Sequence, residues 1–311
     1  MTKKLISLLL VLVLAFSLVA CSKDEEKPAE TATETKTEEK TEEKTEEQAP
    51  EASNEPITVI SREDGSGTRG AFIEIAGIEE KDGDTKVDRT TVEAVVQKST
   101  NAVMMTVNGD KNAIGYISLG SLNDSVKAVK VEGVEATADD VLDGSYKIAR
   151  PFNIVYKGEL DGLKKDFIDF MMSKEGQDMV LENKYVQVDT AAAEYKQNSQ
   201  SGKLVVGGST SVTPLMEKFA EKYMEMYPDV KIEIQSTGSS AGIQAAIEGA
   251  ADLGMASRDL SDEEKAELTN VVIAKDGIAV IVNNENAIED LTLDQIKAIF
   301  VGETKTWGDI K

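Results

Sequence analysis

Three short turns combine glycine with serine or threonine, and each follows an apolar run and precedes a helix-like stretch. They lie at residues 61–70, 207–211 and 237–242. A turn between a strand and a helix start directs unpaired backbone N–H groups and the positive end of the helix dipole towards one point. Helix capping and turn geometry explain any single turn of this kind. Three turns that could converge predict an anion-binding site.

Three arginines stand beside these turns or at strand ends, namely Arg62, Arg69 and Arg258. A guanidinium group offers a fixed fork of N–H donors that fits a tetrahedral oxyanion. The hydroxyls of Ser66 and Thr68 in the first turn add further donors. The alternative for each arginine is an ion pair at the surface. We therefore expect an anion to be bound through arginine, hydroxyl and backbone groups.

Two catalytic motifs are matched by pattern alone. Residues 65–70 fit the G-x-G-x-x-G dinucleotide pattern, and residues 238–242 fit the G-x-S-x-G pattern of hydrolases. Neither Asp84 nor Asp88, at the spacing of a ribose-binding acid, ends an apolar second strand. The chain has no histidine, which excludes a Ser-His-Asp triad, and its single cysteine, Cys21, leaves no usual transition-metal ligand set. The sequence predicts binding and no enzyme activity, with no cofactor and no metal.

Length and charge limit the partners. The chain has 311 residues, enough for two domains, and a net charge of −23. Nucleic acid and anionic membrane surfaces are poor partners for such an acidic chain. A buried anion site remains compatible with this charge, because solvent screens distant charges over ~8–10 Å and the nearest groups set the affinity.

The N-terminal part predicts export. Two lysines precede an apolar run at residues 5–20, which ends just before Cys21. This pattern predicts a secretory signal over residues 1–21; the alternative is a short transmembrane anchor, although about 20 apolar residues are usually needed to span a membrane. Residues 22–55 consist mainly of Glu, Lys, Thr, Ala and Pro and repeat Thr-Glu-Glu-Lys. They predict a disordered acidic tether.

Strands alternate with helices after the tether, which predicts an α/β fold with mainly parallel sheets. Valines at helical spacing predict a helix over residues 90–99, and Ser261 with Glu264 predicts a capping box. Pro151 interrupts an extended run and suggests a crossover between domains. We expect two α/β domains across a cleft, with crossovers near 150–151 and 282–284. The expected ranges are 56–150 plus 283–311 for a discontinuous domain and 151–282 for a continuous domain that includes a linker at 189–202.

Five blocks carry a specific resemblance to a known family. They are SREDGSGT at 61–68, NAIGY at 112–116, GGSTSVTP at 207–214, TGSSAG at 237–242 and GMASRD at 254–259. Together they are similar to the phosphate-binding lipoproteins of bacterial phosphate ABC importers, the PstS-like family of the type 2 periplasmic-binding-protein fold. The resemblance covers about residues 56–311 and implies that phosphate binds in the interdomain cleft.

The resemblance also implies particular site residues. An aspartate that accepts a phosphate proton in some relatives falls near residues 257–259, and Asp64 or Asp259 could take that role here. Which of residues 257, 258 and 259 touches the ligand stays open. The implied ligand-binding residues are Arg62, Ser66, Gly67, Thr68, Thr210, Ser211, Ser239, Ser257 and Arg258.

A tetrapeptide at residues 18–21, LVAC, resembles a bacterial lipobox. It implies that Cys21 is lipidated and holds the protein on the extracellular face of the cytoplasmic membrane, where an ABC permease is the implied partner. The leading function is phosphate capture for that importer. A binding protein for another oxyanion such as sulfate, and an adhesion or signalling lipoprotein without transport function, are the alternatives.

The order of the blocks departs from the family. The block at 207–214 comes near the N-terminus in the family, whereas here the second half of the family pattern comes first. This order predicts a circularly permuted chain in which residues 189–202 join the old ends. We expect a monomer in which strand 57–60 lies close to residues 307–310; a fragment of a tandem array that forms a swapped dimer is the alternative.

Overall fold

The computed structural model describes residues 54–83 and 85–310. The predicted signal segment, the predicted lipidation site Cys21 and nearly all of the predicted tether lie outside these residues. Within the described ranges, no helix combines the length and the apolar character needed to cross a membrane.

The strands of the described part are short except for β8 and β12. In chain order they are β1 Thr58–Arg62, β2 Glu79–Asp82, β3 Thr85–Asp88, β4 Val95–Gln97, β5 Ala113–Ser118, β6 Lys127–Ala128, β7 Lys130–Val131, β8 Ala149–Tyr156, β9 Gly202–Gly208, β10 Val230–Ser236, β11 Leu253–Ala256, β12 Thr269–Val282 and β13 Asp290–Leu291.

Side-chain caps explain where several helices begin. Ser66, Ser99, Ser261 and Thr292 each accept a hydrogen bond from the backbone N–H three residues on, and the predicted box of Ser261 with Glu264 is complete. The helices are α1 Gly67–Ile75, α2 Thr100–Gly109, α3 Ala138–Asp143, α4 Gly162–Met172, α5 Lys174–Glu182, α6 Thr213–Met226, α7 Ser239–Glu248, α8 Asp262–Glu267 and α9 Leu293–Phe300.

One sheet runs through the molecule in the order β10-β9-β11-β8-β12-β5-β1-β4, with β6 added to β12. The strands β9, β10 and β11 pair in parallel at one end, and β1, β4 and β5 pair in parallel at the other. The long strands β8 and β12 lie between these trios and pair antiparallel with each other and with their neighbours. The α/β prediction is confirmed; within this sheet the parallel pairing is confined to the two trios, and β7 and β13 form a separate parallel pair.

Two main hydrophobic cores lie on either side of β8 and β12. The first draws on residues 57–149 and 278–310 together with Val186, and we call this part lobe 1. The second draws on residues 152–274, and we call this part lobe 2; a smaller cluster that includes Ile243 packs beside it. Helices cover the sheet in both lobes, as the alternation of strands and helices predicts.

The second crossover lies earlier than the sequence predicts. Strand β12 pairs with β8 as far as Gly277 and with β5 from Ile278 onward. Residues 278–282 therefore pack in the core of lobe 1, and the crossover falls between Ala274 and Ile278. The prediction of 282–284 is wrong because β12 stays extended through the crossover and continues in lobe 1 as far as Val282.

The predicted helix over residues 90–99 is also wrong. Residues 95–97 form β4, which pairs with β1 at the sheet edge, and Val92 is fully exposed. The valines therefore do not face a core, although their spacing is helical. Valine favours strands, and pairing with β1 decides the local structure here.

The predicted linker at 189–202 is tied to lobe 2. The hydroxyl of Tyr195 donates to the carboxylate of Asp166, and Asn198 Nδ2 donates to the same carboxylate at 2.8 Å. Asn198 N also donates to the hydroxyl of Tyr227 at 3.1 Å. These contacts fix the segment that connects α5 to β9.

The first and last described segments are neighbours. Pro56 forms a β-bridge with Thr306, and Ile57 N donates to the carbonyl of Lys305 at 2.8 Å. The indole of Trp307 donates to the carbonyl of Asn112 at 3.2 Å. The first and last described segments of lobe 1 are therefore adjacent, as expected for strand 57–60 and residues 307–310.

Candidate functional site

Arg62 ends β1 and is almost fully buried, with 1% of the residue exposed. Its Nε and Nη2 donate to the two carboxylate oxygens of Glu63 at 2.8 and 2.9 Å. Nη2 also donates to the hydroxyl of Thr210 at 3.1 Å. The carboxylate fixes the plane of the guanidinium group, and the contact with Thr210 joins lobe 1 to lobe 2.

Four hydroxyls from both lobes form a group next to Arg62; those of Thr68, Thr100 and Ser211 belong to buried residues, and Thr210 is partly exposed. The hydroxyl oxygens of Thr68 and Ser211 lie 2.8 Å apart. Thr100 places its hydroxyl oxygen 3.1 Å from that of Ser211 and 3.4 Å from that of Thr210. A hydroxyl both donates and accepts hydrogen bonds, so this group can adapt to a ligand.

Three serines form a second hydroxyl group in lobe 2. Ser209 donates to the hydroxyl of Ser257 at 2.9 Å, and the hydroxyl oxygens of Ser239 and Ser257 are 3.4 Å apart. The backbone N–H of Ser257 donates to Ser239 Oγ at 3.1 Å. Arg150 Nη1 donates to the hydroxyl of Ser257 at 3.3 Å from the side of the crossover strands.

Gly67 brings the first turn against this second group. A Cβ atom at Gly67 would lie 2.3 Å from Ser239 Oγ and 2.8 Å from Ser257 Oγ, so only glycine fits without a shift. Ser66, one residue earlier, caps α1 by accepting the N–H of Arg69 at 3.3 Å. The backbone of lobe 1 and the hydroxyls of lobe 2 are therefore in direct contact.

Four helix N-termini lie around these hydroxyls. Helix α1 begins at Gly67, α2 at Thr100 and α7 at Ser239, while α6 begins two residues after Ser211. Each N-terminus contributes backbone N–H groups and a partial positive charge. Together with the Arg62 guanidinium they favour an anion at the junction of the lobes. The site therefore offers hydrogen-bond donors and neutral hydroxyls, which are suited to binding an anion.

The phenol of Tyr116 supports β1 from behind this site. Its hydroxyl oxygen lies 3.0 Å from Ser61 Oγ and accepts the backbone N–H of Arg62 at 3.1 Å. Burial raises the pKa of Tyr116, which keeps the phenol neutral at physiological pH. The ring also stacks on Phe72 of α1 with centroids 4.0 Å apart, so the strand and the helix that flank the first turn are held together.

Most of the predicted site residues meet in the structure. Arg62, Gly67 and Thr68 from lobe 1 contact residues of the second and third turns in lobe 2. Ser66 lies buried in the same turn and serves as the helix cap. The members brought together are Arg62, Ser66, Gly67, Thr68, Thr210, Ser211, Ser239 and Ser257.

We call the two groups of hydroxyls together the hydroxyl cluster. Three predicted residues are not part of it. Arg258 donates to both carboxylate oxygens of Glu264 at 2.8 Å, which commits its guanidinium group to lobe 2. The side chain of Asp64 is 97% exposed and pairs with Arg69, and Asp259 is exposed. The assignment of Asp64 and Asp259 as proton acceptors is therefore corrected, because neither carboxylate reaches the buried hydroxyls.

Sequence reasoning missed three members of the cluster. Thr100 follows the cap Ser99 at the start of an apolar helix, and that cap pattern was a usable signal. Ser209 lies within the predicted second turn, so its hydroxyl could have been added to the predicted ligand-binding residues. Arg150 gave no signal, because its position depends on the pairing of β8 with β12.

Comparison with known proteins finds a family profile and several relatives that match this chain. The profile of the PBP superfamily domain matches residues 34–175 and 193–310. Phosphate-binding protein PstS 2 of Streptococcus pneumoniae TIGR4 is 48% identical over 261 residues, which cover 84% of this chain and 90% of that protein. Phosphate-binding protein PstS of Bacillus subtilis is 34% identical over 137 residues, 43% of each chain.

A solved structure is similar over nearly the whole described fold. It is the crystal structure of a phosphate-binding protein of a phosphate ABC transporter from S. pneumoniae TIGR4. The two chains are 53% identical, with a TM-score of 0.68, over 83% of this chain and all of that one. These matches are to substrate-binding proteins and not to enzymes. The chain therefore belongs to the PstS family of phosphate-binding proteins within the PBP superfamily.

Proposed function

We propose that this protein captures inorganic phosphate and delivers it to the permease of an ABC importer. The observation that carries the proposal is the contact of the buried Arg62 with Thr210, which brings a guanidinium group and hydroxyls from two lobes to one point. Four helix N-termini lie around that point. A tetrahedral, doubly charged oxyanion matches donors that arrive from several directions.

Phosphate would bind between lobe 1 and lobe 2. Arg62 supplies the charged donor, Gly67 allows the backbone to approach, and the hydroxyls supply the remaining hydrogen bonds. The crossovers of β8 and β12 are the connections about which the lobes would close. The proposed ligand-binding residues are Arg62, Ser66, Gly67, Thr68, Thr100, Thr210, Ser211, Ser239 and Ser257.

Selectivity against sulfate would depend on groups other than Asp64 and Asp259. Hydrogen phosphate has a proton to donate and sulfate has none, so an acceptor in the site favours phosphate. A hydroxyl can accept that proton but can also rotate to donate to sulfate, which makes it a weak discriminator. Glu63 is a carboxylate held against Arg62, and its oxygens have further lone pairs to accept a proton. Glu63 is therefore our candidate acceptor.

The proposed location follows from the N-terminal sequence. We propose that Cys21 is lipidated and anchors the protein on the extracellular face of the cytoplasmic membrane, with no other membrane contact. A Cys21→Ala variant should be released or left unprocessed, as fractionation of cells would show. Membrane association of a mature Cys21→Ala protein equal to that of wild type would contradict the anchor.

We also propose that the chain is a natural circular permutation that folds as a monomer. Its match with PstS 2 runs through 90% of that protein, so both share one block order, whereas the match with PstS of B. subtilis stops at 43% of each chain. The bridge between Pro56 and Thr306 supports this proposal, because it joins the two segments that the permutation would bring together. Light scattering should give the mass of one chain, and an obligate dimer would contradict this proposal.

Isothermal titration calorimetry with phosphate and with sulfate tests the function. We expect phosphate to bind at one site per chain and sulfate to bind much more weakly. Equal affinities would indicate a general oxyanion-binding protein. No binding of either anion would favour a lipoprotein with an adhesion or signalling role and would contradict phosphate capture.

A further inference from the structure

Arg150 and Asp276 form a buried ion pair where the two lobes join. They are register partners on the antiparallel strands β8 and β12. Arg150 donates from Nε and Nη2 to Asp276 Oδ2 at 3.2 and 3.0 Å. The two side chains are 1% and 0% exposed. Burying two charges is costly, so the pair must be satisfied by further hydrogen bonds to persist.

Those further hydrogen bonds reach into both lobes. In lobe 1, Ser118 donates its hydroxyl to Asp276 Oδ1 at 3.0 Å. Towards lobe 2, Arg150 Nη1 donates to the carbonyl of Ser257 at 3.1 Å and to its hydroxyl at 3.3 Å. The pair therefore connects β5 of lobe 1 with the end of β11, where Ser257 enters the hydroxyl cluster.

The hydrogen bonds of Ser257 fix the direction of its hydroxyl. Its oxygen accepts from Arg150 Nη1 at 3.3 Å and from the hydroxyl of Ser209 at 2.9 Å. A hydroxyl oxygen has two lone pairs, so with both occupied its own proton must be donated elsewhere. Apart from Arg150 and Ser209, the neighbours of the Ser257 hydroxyl are Gly67 and Ser239. Ser257 is thus held as a hydrogen-bond donor towards the site.

We propose that Arg150, held in place by Asp276, is a positioning residue of the anion site that acts through Ser257. This rests on the proposed function, since the anion is phosphate. Arg150 does not touch the ligand itself. It presets Ser257 as a donor before the ligand arrives, which lowers the reorganisation needed for binding.

A double-mutant cycle measured by phosphate calorimetry tests this role. One arm is the paired variant Arg150→Met with Asp276→Leu, which removes both charges and leaves neither buried alone. The other arm is Ser257→Ala. We expect each arm to weaken phosphate binding by about tenfold and their combination also by about tenfold, because both remove the same donor. The matched control is Arg89→Met with Glu80→Leu, an exposed ion pair in lobe 1 that should leave affinity unchanged.

A merely structural pair predicts a different result. Its removal would lower the melting temperature but leave the affinity of the folded protein unchanged, or its effect would multiply with that of Ser257→Ala to about a hundredfold. Either result overturns the inference. If the paired variant does not fold, Arg150→Lys takes its place in the cycle with the same expectations, because an ammonium group keeps the charge but lacks the fork that reaches both Asp276 and Ser257.

The wild-type titration separates the two proposals. A wild-type protein that binds no phosphate would overturn the proposed function, and this inference with it. A wild-type protein that binds phosphate, with effects of the Arg150 and Ser257 changes that multiply, would overturn the inference alone.

Discussion

Lobe 1 and lobe 2, the two walls of the hydroxyl cluster, supply different groups to an anion. Lobe 1 contributes the buried guanidinium group of Arg62 and the close backbone approach at Gly67. Lobe 2 contributes the neutral hydroxyls of Thr210, Ser211 and Ser239, each near the start of a helix. Every hydrogen bond to the phosphate anion involves a charged group and is worth about 1.5–3 kcal/mol, but only the guanidinium group adds the attraction of an opposite full charge. The comparison teaches that attraction for an anion is concentrated on lobe 1, whereas full coordination requires both lobes.

Removal of the charged donor should have the largest effect. We expect Arg62→Ala to weaken phosphate binding on the order of ten- to several-hundred-fold, because a charged partner of the anion is lost. Calorimetry measures the change, and Arg89→Ala is a control in which an exposed arginine of lobe 1 is removed. Unchanged phosphate affinity in Arg62→Ala would contradict the claim that attraction for an anion is concentrated on lobe 1.

Blocking the close contact of the backbone at Gly67 with lobe 2 should have the second-largest effect on phosphate affinity. Gly67→Ala places a Cβ 2.3 Å from Ser239 Oγ, so the walls must move apart. Overpacking costs about 1–3 kcal/mol, and we expect a loss of about tenfold or more in phosphate affinity. Gly109→Ala is the control, because a Cβ there meets nothing within 4 Å. Equal affinities of the two variants would show that the lobes do not need this contact.

Removal of single hydroxyls should have a smaller effect. We expect Ser211→Ala in lobe 2 and Thr100→Val in lobe 1 each to weaken phosphate binding by about tenfold, since each loses one hydrogen bond from a neutral donor to the charged anion. Similar values for both would show that chemistry, and not the lobe, sets the size of the effect. Ser145→Ala, whose hydroxyl contacts Asp140, is the control. A loss as large as that of Arg62→Ala would break the comparison.

The ion pair of Arg258 with Glu264 lies outside the hydroxyl cluster. Its removal should lower stability and leave the affinity for phosphate unchanged. The hydrogen bond from Arg258 holds the pKa of Glu264 below its usual range, so the pair stabilises the fold above the unfolded pKa of about 4.3 and loses this effect as the pH falls through the folded pKa. We expect Glu264→Gln to cost less than about 1 kcal/mol at pH 7, and this cost should shrink as the pH is lowered below the unfolded pKa. Thermal unfolding at both pH values measures this. A weaker affinity for phosphate in Glu264→Gln would return Arg258 to the site.

Much of the site could be predicted from sequence because its main parts lie in local turns. The first turn needs Gly67 and the cap Ser66 within a few residues, and this chemistry is visible without a structure. The sequence did not show in the same way which side chains of a turn are exposed to solvent. Asp64 stands inside the first turn, yet its side chain points to solvent and pairs with Arg69. Position in a motif therefore does not determine which side of the backbone a side chain occupies.

The remaining misses come from long-range pairing. Val92, Val95 and Val96 have helical spacing, but Val95 and Val96 pair with β1 and form a strand. The crossover within β12 and the contact of Arg150 with Asp276 depend on strands far apart in sequence. The α/β class itself was predictable, because it follows from the alternation of local elements.

A crystal structure of the protein with bound phosphate tests the central claim most directly. The account predicts phosphate oxygens within about 3.2 Å of the guanidinium group of Arg62 and of a hydroxyl of Thr210 or Ser211, so that one ligand touches both lobes. Phosphate bound to a single lobe, or at a surface away from Arg62, would contradict it.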